Sequence, residues 1–280
     1  MLKKVLIVAT TIISLTASAT SLEEAQSLYG KRGADFKNAQ LAADMYGKLV
    51  AAEADSFKKA KLLIGQSEAV QYVGTKTSGK KAKLKIHDFG KKLGDNAFAL
   101  LKGNNTPEGK TQQARALYFM GTNLGRWGEA KGVLSSLGRW RKELRPAMEL
   151  LMTLDDSVED YGVYRIMGRG FIKVPGFNTP NDQGVKFLEK ALEATKLDDY
   201  SVSKNSTTTT YLIWAYMKEG QTDEFCNLYE AFEEFTDADR TIQDEANTYL
   251  IPETQHEVNE FKNPTHEDRI AVNEYFNEEC

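Results

Sequence analysis

The chain has 280 residues, 36 Lys and Arg against 40 Asp and Glu, a formal net charge of −4, 41% hydrophobic residues and 6 prolines. An acidic balance does not fit a nucleic-acid partner. The abundance of Ala, Leu, Glu and Lys, with few prolines and no long alternating Val/Ile stretches, excludes an all-β fold and favours helices throughout.

The first residues, MLKKVLIVATTIISLTASAT, place Lys3 and Lys4 before an apolar run from Val5 to Ala17, followed by Ala17-Ser18-Ala19. This pattern predicts a cleavable signal peptide over residues 1–19, since a run of about 13 apolar residues falls short of the roughly 20 that span a bilayer. The alternative is a short retained anchor. Cleavage would start the mature chain at Thr20, in the periplasm, as one α-helical repeat domain over 20–280. No cysteine lies near the cleavage site, so no lipobox is expected. Loss of Lys3 and Lys4 takes the net charge from −4 to −6.

Leu22–Arg32 and Asp35–Ala54 are expected as a helical hairpin parted at Gly33, with Ala39, Ala42, Ala43, Tyr46, Leu49 and Val50 at helical spacing. A second pair follows, Phe57–Val73 and about Leu84–Leu101, joined by a lysine- and glycine-rich loop from Gly74 to Lys83. That loop contains GTKTSGKK, one residue from a phosphate-binding loop. Lys81 stands where the magnesium-binding hydroxyl is required and no hydrophobic strand precedes it, so the loop is expected to be a solvated connector. Asn104–Gly109 is an expected turn and Thr111–Trp127 an expected helix, its apolar face continuing through Leu134, Leu137 and Trp140. Arg145–Leu154 opens with Pro146 at a tolerated first-turn position.

Asp160–Phe177, DYGVYRIMGRGFIKVPGF, reads as one helix ended by Pro175-Gly176. The helical repeat puts Tyr161, Tyr164 and Arg165 on one face. Gly162, Gly168 and Gly170 fall inside it although glycine is a poor helix former, so something must approach that backbone closely, either a neighbouring helix or a ligand. Asn181-Asp182 can cap Gln183–Thr195. Ser201–Glu219, stopped at Gly220, pairs with Glu224–Phe235. A helix at Asp237–Tyr249, a short one at His256–Phe261 and an acidic helix at Glu267–Glu279 complete the chain. Ten lysines lie between Lys58 and Lys92, and eighteen acidic residues between Glu219 and Cys280. Such a division can steer partners or subunits, or simply reflect two solvated faces. Cys226 and Cys280 pair or stay free; spacing does not decide.

Tetratricopeptide units combine an aromatic at position 11, a glycine at 15 and a small residue at 20 in a 34-residue helix pair. Tyr29 with Gly33 and Tyr216 with Gly220 fit the first two; Gly125, Ala130, Leu134 and Leu137 fit 15, 20, 24 and 27; Gly184, Leu188 and Ala191 fit 20, 24 and 27. The expected fold is therefore all-α: a superhelical array of antiparallel helix pairs built from degenerate tetratricopeptide-like repeats, with a C-terminal helical cap.

ALYFMGTNLGRW (Ala116–Trp127), LRPAMELLMTLDDSVEDYGVYRIMGRGFIKVPGF (Leu144–Phe177) and DQGVKFLEKALEAT (Asp182–Thr195) together resemble the T-component of tripartite ATP-independent periplasmic (TRAP) transporters. Tyr161, Gly162, Arg165, Gly168, Pro175 and Gly176 occupy the family's second motif. The resemblance implies a homotrimer that docks a periplasmic solute-binding protein and has apolar clefts for a small lipophilic or amphipathic ligand. Many relatives carry a lipobox cysteine, which this chain lacks.

Catalytic and metal residues are not apparent, and no cofactor is expected. His87, His256 and His266 do not form a helical zinc motif, no nucleophile elbow is present, and Gly168-Arg169-Gly170 lacks the dinucleotide context. The candidate ligand-binding set is Tyr118, Trp127, Tyr161, Tyr164, Arg165, Phe171 and Phe177, because aromatics with a cationic neighbour suit an apolar pocket with a polar handle. The same aromatics can fill helix interfaces. Arg165 stands out, since a charge on an apolar face must be paired or meet an anionic group. The expected function is non-enzymatic binding or scaffolding in the periplasm. The alternative is a tetratricopeptide-type adaptor recognising a peptide segment of another envelope protein.

Overall fold

The computed structural model describes residues 22–174, 182–197, 201–238 and 267–280. The expected signal peptide, Pro175–Phe177, Asn181, the helix expected beyond Ala238, the one at His256–Phe261, and His256 and His266 lie outside these residues. The regular structure of the described residues is helical, joined by short turns and connectors, with one isolated antiparallel bridge between Lys196 and Ser203. Helices pack mainly on their neighbours in sequence, the all-α, repeat-like arrangement that the periodicity predicts. None of the described helices is long and apolar enough to cross a membrane. The chain divides into two compact units that meet in sequence at Lys131 and Gly132.

The first unit contains α1 (22–30), α2 (Lys37–Ala52), α3 (Ser56–Lys76), α4 (Lys80–Leu101) and α5 (Pro107–Lys131). Its core is rich in alanine: Ala42, Ala43, Ala60, Ala97 and Ala116 meet Ile64, Leu93 and Phe119. Small residues let these helices close on each other. Asp55 caps α3 by accepting from the Lys58 amide at 2.8 Å. Thr106 does the same for α5, its Oγ1 accepting from the Gly109 amide at 3.0 Å, while Pro107 supplies the favoured first residue.

Two expectations are corrected in this region. The connector expected at Gly74–Lys83 shrinks to residues 77–79, because α3 runs on to Lys76 and α4 starts at Lys80. Gly74 is therefore packed, and only Gly79, at φ 84°, needs glycine's freedom to turn the chain. The repeat unit read through Gly125, Ala130, Leu134 and Leu137 also fails. α5 continues past Gly125 to Lys131 and the break comes at Gly132, at φ 106°, which leaves Leu134 77% exposed instead of packed.

The second unit begins with α6 (Val133–Arg139), a π-helical turn (Trp140–Leu144) and α7 (Arg145–Leu154). It continues with α8 (Val158–Lys173), α9 (Asp182–Thr195), α10 (Ser206–Glu219), α11 (Thr222–Ala238) and α12 (Glu267–Glu279). Helix α10 lies at the centre, and all residues from Tyr211 to Tyr216 are buried. Its Thr-rich start is anchored by hydroxyls: Ser203 Oγ meets Thr195 Oγ1 at 2.5 Å, and Thr209 Oγ1 accepts from the Ser203 amide at 3.0 Å. Gly220, at φ 68°, ends the helix as its aromatic-to-glycine spacing predicts. A disulfide joins Cys226 on α11 to Cys280 just beyond α12, with Cα atoms 5.8 Å apart, deciding between the two states that the sequence left open.

Candidate functional site

The most organised chemistry in the second unit lies where α8 meets α9. The two helices cross at Gly168 and Gly184, and each glycine opposes the carbonyl oxygen of the other. A Cβ on Gly168 would lie 2.5 Å from Leu188 Cγ and 2.9 Å from Gly184 O; one on Gly184 would lie 2.6 Å from Ile172 Cγ1. At Gly170, an added Cβ would come within 2.1 Å of the Trp140 ring. What approaches this backbone closely is protein: a neighbouring helix at Gly168 and an indole at Gly170.

An aromatic ladder runs along the same surface. Tyr161 stacks on Tyr164 with centroids 6.4 Å apart, Tyr164 on Phe187 at 6.1 Å, and Phe187 on Phe171 at 5.7 Å. Trp140 closes it edge-on against Phe171 at 5.7 Å. Separations of this order suit offset and edge-to-face aromatic contact. Tyr164, Phe171 and Trp140 are buried, while Tyr161 and Phe187 are half-buried and form the accessible rim.

Polar groups border the ladder. The Tyr164 hydroxyl donates to the Asp156 carboxylate and accepts from Lys190 Nζ at 2.6 Å, and Lys190 also lies 4.2 Å from the Tyr164 ring centroid. Burial and the adjacent Asp156 carboxylate both push the Tyr164 hydroxyl above its usual range. A tyrosine so held stays protonated at neutral pH, a positioning contact and not an activated base.

The start of α8 departs from the regular helix that the spacing predicts. Glu159, Asp160 and Tyr161 have φ of 52°, 54° and 55°, left-handed values that cost non-glycine residues roughly 1–2 kcal/mol each. Arg165 spans this turn, its guanidinium donating to Asp160 O at 2.5 Å and to Glu159 O at 2.6 Å. Lys204 adds an ion pair to Asp160 at 2.5 Å. Arg165 is 6% exposed, so the cation on an apolar face, which required a partner, has two backbone carbonyls as hydrogen-bond acceptors. Tyr161 and Tyr164 are thus brought together across a left-handed turn held from below, not by three steps of one helix.

Of the seven sequence candidates, Tyr161, Tyr164, Arg165 and Phe171 gather on α8. Phe177 lies outside the described residues. Tyr118 and Trp127 belong to α5 of the first unit, where both are half-buried and Tyr118 packs edge-on against Phe119 at 5.1 Å. The sequence reading missed Phe187, Lys190 and Asp156. Phe187 and Lys190 sit three apart on α9, so their spacing on the DQGVKFLEKAL helix is the signal that could have found them.

Comparison of the sequence with protein-family models and with curated proteins returned no match.

The first unit holds a second polar cluster. His87, on α4, is buried with Asn123 of α5, its Nδ1 3.2 Å from Asn123 Oδ1. Asn123 Nδ2 donates to Phe119 O at 2.9 Å and to Ser67 O at 3.2 Å, which leaves Oδ1 as acceptor and puts the histidine proton on Nδ1. Ser67 Oγ donates onward to Gly90 O at 2.8 Å, so α3, α4 and α5 are linked. Gly74 and Gly90 make the room, since a Cβ at either would lie within 2.4 Å of His87 or 2.3 Å of Asn123. Burial lowers the His87 pKa to about 4, against a raising contribution from Asn123. A neutral, enclosed imidazole braces three helices. Among the described residues no group of three or more His, Cys, Asp or Glu side chains could hold a metal ion.

Proposed function

We propose that this protein is a non-enzymatic periplasmic binding scaffold of the TRAP T-component type, which docks a solute-binding protein and holds a small lipophilic or amphipathic ligand against its aromatic ladder. The observation that carries this reading is the packing of two resemblance-bearing segments on each other. The YGVYRIMGRG helix and the DQGVKFLEKAL helix meet through Gly168 and Gly184, and their aromatics interleave into one surface. Its rim, Tyr161 and Phe187, offers apolar area beside the Lys190 ammonium, the combination that an amphipathic ligand with an anionic end would use.

The test has two arms. Native mass spectrometry of the purified protein should show a retained lipophilic ligand whose occupancy falls in a Tyr161→Ala, Phe187→Ala double variant; unchanged occupancy, or none in the wild type, removes the ligand from the proposal. A low-salt pull-down from envelope extract should recover a solute-binding protein. Recovery of only extended peptide-bearing partners, with no bound ligand, would favour the peptide-adaptor reading instead.

A further inference from the structure

Helix α8 carries two cations that the aromatic ladder does not use. Arg169 and Lys173 each lie two residues from Phe171, about 200° round the helix, and so occupy the side of α8 away from the ladder, where it packs on α10. They are four apart and share one face. On α10, Tyr211, Trp214 and Lys218 follow at helical spacing on a single face of their own.

These two faces gather positive charge round one indole. The Arg169 guanidinium carbon lies 4.4 Å from the Tyr211 ring centroid and 4.9 Å from that of Trp214. Lys173 Nζ and Lys218 Nζ lie 5.2 Å and 5.6 Å from the same Trp214 centroid. Each cation is attracted to the ring, but like charges this close repel one another. Trp214 itself is 5% exposed, and its Nε1–H has no acceptor among the described residues. A buried indole N–H normally has one. Arg169 and Lys173 are half-buried and Lys218 is exposed, so the group is reachable from solvent. An anion bound here would offset the repulsion and supply the acceptor that the indole lacks.

We infer that this face of α8 and α10 binds a phosphate group, its oxygens held by Arg169, Lys173 and Lys218 and accepting from the Trp214 N–H. A guanidinium fork, two ammoniums and an indole offer donors from several sides, which suits a compact tetrahedral dianion better than a flat, singly charged carboxylate. Free phosphate and a phosphate monoester present the same chemistry to these side chains. The site lies off the ladder and stands independently of the ligand and receptor reading.

The indole N–H signals in nitrogen-labelled protein test it. The chain has 3 tryptophans, Trp127, Trp140 and Trp214, and loss of one signal in a Trp214→Phe variant assigns the reporter. Titration of the wild type with inorganic phosphate should move the Trp214 signal saturably and leave the other two in place, while chloride and acetate at matched ionic strength should move none. Tighter binding of glycerol phosphate than of inorganic phosphate assigns the site to an ester, and the reverse order to the free ion. Lys218→Glu, at an exposed position, should weaken phosphate binding by about tenfold or more with unchanged circular dichroism. A Trp214 signal indifferent to both phosphates, an equal response to acetate, or an affinity unchanged by Lys218→Glu would each overturn the inference.

Discussion

The two units use different means to reach close helix packing. In the first, three long helices are drawn together by alanine and glycine and tied by one buried polar chain, Ser67–Asn123–His87, whose groups are mutually satisfied. In the second, helices are short, the backbone bends through a π-helical turn and a left-handed turn, and the gaps are filled by stacked aromatics and a disulfide. Small residues give close contact and little adaptability. Large rings with a strained, clamped turn leave a rim where something else can bind, and the difference marks the second unit as the place to look for ligand chemistry.

The contrast can be broken most strongly at the disulfide. Replacing Cys226 and Cys280 by Ser releases a loop of separation 54, which should lower stability by about 4 kcal/mol in the chain-entropy account. Hydrogen exchange should locate the loss in α10–α12 and spare α3–α5; equal loosening of both would show that the units do not behave separately.

Acid should act on the first unit next. Because His87 titrates near pH 4 when folded and near 6.5 when unfolded, the unfolded chain binds the extra proton between those values. Stability is then lost as pH falls from about 6.5 to about 4, by up to about 3 kcal/mol. Denaturant titrations at pH 7 and pH 4.5 measure it, and a His87→Gln variant should have a flatter profile across that window even if it is less stable at neutral pH.

Arg165→Met should cost about 2 kcal/mol by leaving the Glu159 and Asp160 carbonyls without their donor, with faster exchange confined to the start of α8. Gly94→Ala sharpens the view of the first unit. The new methyl would lie 2.7 Å from Met120 Cβ and 2.9 Å from Ala116 O, so α4 and α5 must separate. Overpacking of about 2–3 kcal/mol, offset by roughly 1 kcal/mol of better helix propensity, predicts a net loss of about 1–2 kcal/mol. At the small end, Lys186→Ala removes an exposed, solvent-screened pair with Asp182 and should leave the melting curve nearly unchanged.

How legible the fold was varied with how local its causes were. Apolar spacing identified nearly every described helix, because the 3.6-residue repeat is written in consecutive residues. Boundaries failed where a glycine had two uses. Gly74 read as a loop residue but is a packing residue under His87, whereas Gly132, unmarked by any pattern, is the real break. The candidate site was legible on α8 and illegible on α9, since Phe187 gains meaning only when Gly168 and Gly184 bring the two helices together.

The sequence by itself determined the helical class, the helix-stopping role of Gly220, the charge division between the ends, and the requirement that Arg165 find a partner. Each follows from the chemistry of one residue or its near neighbours. Tertiary structure alone decided that Cys226 and Cys280 pair, that the partners of Arg165 include the carbonyls of a left-handed turn, and that Tyr161, Tyr164, Phe187, Phe171 and Trp140 form one ladder. Those depend on distances between segments far apart in sequence, which helical periodicity does not encode.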